Sequence, residues 1–128
     1  MFLCSALTVT AHAQTQFPGD ALHKPFSEPL MEHIADGHVN YTGIKADPRF
    51  SHYLDALKSA KPTDMVSDAE KLAFWINAYN ALAIKGIIDG LSPSSLLGRF
   101  SYFKFSDYEV GGQVIKLYNL DTLLRLFI

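Results

Sequence analysis

The stretch EKLAFWINAYNALAIKG, Glu70 to Gly86, constrains the fold more than any other part of the chain. No charged residue stands between Lys71 and Lys85. Ser67, with Glu70 three residues later, makes a capping box, and Asp68 adds negative charge to the first turn. Asp89-Gly90 ends the helix and Ser92-Pro93 prevents its continuation. From Leu72 to Ile84 the predicted helix is apolar nearly all round. A surface helix would show a polar face, so this one is expected to be surrounded by protein. Its uncharged run rises only ~20 Å, short of a bilayer crossing.

Two asparagines interrupt that run. Asn77 and Asn80 share a helix face with Ala73 and Ile84, because the spacings are four, three and four. An unpaired buried amide costs about 1–3 kcal/mol. Both amides are therefore expected to bond the backbone of neighbouring loops, or to line a cleft with Tyr79 beside them. Trp75 and Tyr79, at i and i+4, are expected to pack into the core.

The remaining punctuation outlines one domain in a chain of 128 residues. Residues 14–27, with two prolines and a glycine, are expected to be an irregular lead-in to a single domain over 28–128. A short helix over Pro29–Asp36 would present Leu30, His33 and Ile34 and stop at Gly37. HVNYTGI would be extended. Asp47 can cap a helix with Pro48 in its first turn and Phe50, Tyr53, Leu54 and Leu57 on its apolar face. Pro62 breaks it. Residues 100–120 are rich in aromatic and β-branched types, and Gly111-Gly112 is a hairpin signal. A last helix is expected from about Asn119. The sum is an α+β fold: a helical N-terminal part around a buried central helix, then a small antiparallel β-hairpin region and a C-terminal helix.

Charge excludes one class of partner. The chain is 48% hydrophobic with a formal net charge of −2, so no electrostatic footprint for nucleic acid exists. The start, MFLCSALTVTAHAQ, is apolar and ends in Ala11-His12-Ala13. That pattern predicts a signal peptide remnant over 1–13, cleavage before Gln14, and export to a periplasmic or secreted location. Cys4, the single cysteine, lies inside it, so the mature chain would carry no thiol. No span is expected in the mature chain. The five histidines (His12, His23, His33, His38 and His52) make no HxH or HExxH spacing, and neither a metal nor a cofactor is expected. No G-x-S-x-G elbow or phosphate loop is present.

The central helix resembles a known family. Ala73 through Lys85 is similar to the AFWINxYNALTIK-like helix of the domain-of-unknown-function family 547, DUF547. Asp36–Asp47 resembles that family's preceding element, with Val39-Asn40-Tyr41 where valine-aspartate-tyrosine is usual. Phe103-Lys104 and Val110-Gly111-Gly112 are similar to segments that follow. The resemblance extends over residues 28–125. It places Asp121 and Thr122, in Leu120-Asp121-Thr122, where the family has a glutamate and a histidine. Members continue into a segment with a histidine and a cysteine pair, before which this chain ends. The chain is therefore expected to be the front portion of such a domain, inactive alone. The resemblance implies that full-length relatives are cysteine-dependent hydrolases or thiol enzymes. Asn77, Asn80, Tyr79 and Asp121 are the expected cleft residues. The alternative is a non-enzymatic envelope module binding a peptide, glycan or protein through an exposed aromatic hairpin with Tyr102, Phe103, Phe105 and Tyr108.

Overall fold

Local capping chemistry sets the clearest boundaries. The computed structural model describes residues 18–127. The signal-peptide segment, Cys4 and His12 lie outside the described residues, as do the side chains of Phe105 and of the Leu126-Phe127-Ile128 end. In chain order the elements are α1 (Pro18–His33), β1 (Ile34–Ala35), β2 (His38–Val39), α2 (Tyr41–Ala46), α3 (Pro48–Ser59), a 3-10 turn (Pro62–Asp64), α4 (Asp68–Ile88), α5 (Leu96–Phe100), a π-helical turn (Ser101–Phe105), β3 (Tyr108–Val110), β4 (Gln113–Ile115) and α6 (Leu117–Phe127). The fold is α+β, helix-rich, with two small antiparallel hairpins and a C-terminal helix.

Helix α4 starts where Ser67 accepts a hydrogen bond from the Glu70 N–H at 3.1 Å. The Glu70 carboxylate reaches back to the Val66 N–H, one residue before the capping-box position. Gly90 follows the helix at φ +88°. Asp47 caps α3 by accepting from the Arg49 N–H at 3.0 Å, with Pro48 at the first helical position. Both match the expected caps.

The second hairpin forms at Gly111-Gly112, with φ of +60° and +75° and Tyr108 opposite Ile115. Those angles suit glycine, which has no Cβ to clash. The turn also has a tertiary task. Its two amide N–H groups donate to the carbonyls of Leu57 at 2.8 Å and Lys58 at 2.9 Å. The last carbonyls of a helix have no intrahelical donor, so the hairpin closes the end of α3.

Several segments differ from expectation. Residues 18–27 are helical, and the helix expected over Pro29–Asp36 ends at His33. Interior prolines typically cost about 3 kcal/mol each, which argues against a helix through Pro25 and Pro29. Packing overrides that local penalty. Phe26 and Pro29 are buried, and Phe26 stacks on Tyr53 with centroids 5.0 Å apart and planes within 3°. Asp36-Gly37 makes a tight hairpin turn at positive φ rather than a helix stop. Tyr41–Ala46 is helical and not extended, because Asn40 caps it by accepting from the Gly43 N–H at 3.0 Å. Phe100–Phe105, expected in the strand-rich part, is helical.

The core joins the helices through large side chains. Tyr53, Phe74, Ile44, Leu57, Leu117, Leu120 and Val110 are fully buried. Helix α1 packs on α3, and α4 packs on α6. Tyr102 lies against Gly86, where an added methyl would stand 2.8 Å from its ring, and its hydroxyl donates to the Ala83 carbonyl at 2.8 Å. Burial pushes the Tyr102 phenol up to about 12.

The expected enclosure of α4 is one-sided. Phe74, Ala78, Ala81, Leu82 and Gly86 are buried, whereas Ala73, Ile76 and Asn80 are exposed. Apolar residues occupy both faces, so composition could not mark the outer one. The anchoring role expected of the asparagines is also not what forms. The Asn77 amide donates to the Ala73 carbonyl of its own helix at 3.0 Å. Asn80 has no hydrogen-bond partner among the described residues. Neither amide ties α4 to a loop.

Candidate functional site

Two side-chain constellations stand out, one an ion-pair clasp and the other a cleft. The clasp joins the end of α1 to the start of α3. Glu32, His33 and Asp47 bring donor atoms within 4.8 Å of one another, which is metal-ligand spacing. Arg49, however, already fills the carboxylates. It donates to Glu32 at 3.0 and 2.7 Å and to Asp47 at 3.0 and 2.7 Å. His33 Nε2 lies 3.3 Å from Asp47 Oδ2. A cation would have to displace a bidentate guanidinium, so the arrangement serves to hold α1 on α3.

The clasp sets a pH dependence. The Arg49 guanidinium holds the Asp47 carboxyl well below the usual carboxylate range, against an opposing effect of burial, with the Arg49 N–H and His33 adding to the lowering. Arg49 lowers Glu32 in the same direction. A carboxylate depressed in the folded state stabilises it above the unfolded pKa, about 3.9, and loses that contribution as pH falls toward the folded value. Urea-unfolding midpoints are therefore expected to fall as pH drops below about 4. Asp47→Asn keeps a good cap but removes the charge. It should be less stable than the parent at pH 7, and the gap should narrow at pH 3.

The cleft lies between α5, the π-helical turn and α6, with a volume of about 320 Å³. Its walls are Leu96, Phe100, Phe103 and Tyr118, and its charged groups are Arg99, Lys104 and Asp121. The π turn explains the sorting of side chains. One extra residue per turn changes where successive side chains point, and such turns occur often at functional sites. Here Tyr102 enters the core while Phe103 and Lys104 line the cleft. The Lys104 ammonium sits 5.5 Å from the Phe100 ring centre and 5.0 Å from that of Tyr118. Both rings attract it through their negative faces. Asp121 accepts from Arg125 at 2.8 Å, so its charge is offset. Arg99 bonds only the neutral Pro93 carbonyl, and neither it nor Lys104 has an acidic partner among the described residues. The mouth is cationic.

Of the expected cleft residues, Asp121 lines this cleft. Tyr79 lies near enough for the Asp121 charge to act on it: burial pushes its phenol up, Asp121 adds to the rise, and Arg125 opposes it. Asn77 and Asn80 are on the open strip of α4 and do not line the cleft. The expected aromatic hairpin surface does not form as such, because Tyr102 and Tyr108 are buried. Sequence reasoning missed Leu96, Arg99, Phe100, Lys104 and Tyr118. Their convergence depends on the π turn, for which the sequence carries no marker.

The fold and cleft together define a small helix-rich α+β domain with an apolar cleft under a cationic rim. Residues 63–125 match the family model described as "Protein of unknown function, DUF547", which supports the resemblance carried by the α4 motif. The match begins after the 36–47 element. No curated protein and no solved structure matches the chain. Among the described residues no helix is long and apolar enough to cross a membrane.

Proposed function

We propose that the chain is an exported binding module that takes a peptide segment presenting an apolar side chain beside a carboxylate. The apolar group would enter between Leu96, Phe100, Phe103 and Tyr118, and the carboxylate would meet Lys104 and Arg99. The observation that carries this reading is the Lys104 ammonium held over two rings at the mouth of an apolar cleft, without an acidic partner among the described residues. A desolvated carboxylate there gains a charge-assisted hydrogen bond, while the walls gain apolar burial. A hydrolase reading has less support. His33, His38 and His52 have no hydroxyl within hydrogen-bond distance among the described residues, and the hydroxyl that His23 meets at 2.7 Å belongs to Tyr53, which is fully buried and out of a substrate's reach. Export rests on the small-residue pattern before Gln14. A mature N-terminus at Gln14, read from protein recovered outside the cytoplasm, would support it, and an intact Met1 would overturn it.

Fluorescence anisotropy of a labelled tripeptide ending in phenylalanine with a free carboxylate tests the binding. Saturable binding is expected, weakened about tenfold by Lys104→Gln, since a charge-assisted bond contributes about 1.5–3 kcal/mol. The carboxamide form of the same peptide should bind as weakly. Equal affinity for acid and amide, or an unaffected Lys104→Gln variant, would overturn the reading.

A further inference from the structure

A second cavity shares no lining residue with the cleft. It has a volume of about 400 Å³ and is lined by Lys61, Pro62, Thr63, Lys71, Trp75 and Gln113, beside the β3–β4 turn. Its chemistry is one-sided. The two charged lining groups are ammoniums, and no carboxylate lines it. This concentration of positive charge occurs in a chain of net charge −2. Lys61 has no ion pair among the described residues. Lys71 has only a loose one, 3.9 Å from a fully exposed Asp68. The half-buried Trp75 supplies a flat wall, oriented by an edge contact to Phe74 at 5.0 Å and 80°. Its indole N–H has no hydrogen-bond partner among the described residues. Thr63 and Gln113 add a hydroxyl and an amide that both donate and accept.

An anion alone would explain the lysines but leave the indole face unused. A neutral ring would use the indole and leave two ammoniums unanswered. We propose that this cavity binds an anionic sugar, the ring stacking on Trp75 and its acid group meeting Lys61 and Lys71. Lysine serves this as a point charge, without demanding bidentate geometry. The hydroxyls of the ring suit Thr63 and Gln113. The site is separate from the α5–α6 cleft, so it stands or falls independently of the peptide reading.

Trp75 is the single tryptophan, so its emission reports on this site alone. The full chain would be titrated with a uronate disaccharide, a hexose phosphate and the matching neutral disaccharide. A saturable change in emission is expected with at least one anionic sugar and none with the neutral one. Preference for the uronate assigns a carboxylate and preference for the hexose phosphate a phosphate; both support the proposal. Lys61→Gln combined with Lys71→Gln should weaken binding about a hundredfold, at roughly tenfold for each charge-assisted hydrogen bond removed. Should that variant fold poorly, the parent's salt dependence decides, because ammonium–anion attraction is screened in raised salt. The proposal fails if neither anionic sugar gives saturation or if the neutral disaccharide binds equally well. It also fails if affinity is unmoved by both the lysine changes and salt.

Discussion

Replacing Phe74 with alanine is expected to lower the unfolding free energy by about 3–5 kcal/mol, the usual range for emptying a buried aromatic site. Phe74 is fully buried. Its ring meets His23 at 6.3 Å and Trp75 at 5.0 Å between centroids. Through these contacts it joins α4 to α1 and sets the wall of the lysine-lined cavity. Small domains are stable by only about 5–15 kcal/mol, so the loss would be a large share of the total. Urea unfolding should show a lower midpoint. Asn80→Ala, six residues along the same helix, is the internal comparison. Asn80 is exposed and without a partner among the described residues, so its removal should stay within about 0.5 kcal/mol. The reverse order of the two effects would mean that α4 presents a different face to the core.

Gly98→Ala is expected to cost about 1–3 kcal/mol, as overpacking does, and to abolish peptide binding at the cleft. A methyl on Gly98 would stand 2.0 Å from the carbonyl oxygen of Ser92 and 2.7 Å from the Ser95 hydroxyl. The first obstacle is backbone, which no rotamer change can clear. Either the Ser92–Ser95 turn or α5 must move. Ser95 caps α5 by accepting from the Gly98 N–H at 3.0 Å, so movement also breaks the cap. Leu96, Arg99 and Phe100 ride on that short helix and would leave the cleft with it. Anisotropy with the phenylalanine-ending peptide, beside a denaturation curve, separates the two effects. A variant that binds normally would show that α5 does not shape the cleft.

Where local chemistry decides, the chain was legible. Ser67 and Glu70 opened α4, Asp47 and Pro48 opened α3, and Gly111-Gly112 closed a hairpin, each within a few residues of the marker. The α4 motif also pointed to the family whose model matches 63–125. The Asp36-Gly37 hairpin carried an equally local signal, which the helix-stop reading of glycine obscured.

Long-range packing was not legible in the same way. Pro18 and Pro25 made residues 14–27 an expected irregular lead-in, yet a stacked Phe26–Tyr53 pair and a clasp spanning Glu32 to Arg49 hold α1 helical from Pro18. The open strip of α4 was hidden because apolar side chains stand on both of its faces. Of the cleft residues foreseen, Asp121 alone lines it. Lys104 and Tyr118 are neighbours only through the π turn and the approach of α6.

By itself, then, the sequence determined caps, turns and the helix-rich α+β class, because each follows from energies acting between residues close along the chain. Which face of α4 is buried, which cations go without acidic partners, and where an aromatic wall meets a lysine pair were decided by tertiary structure. Those outcomes depend on side chains far apart in sequence competing to occupy the same volume.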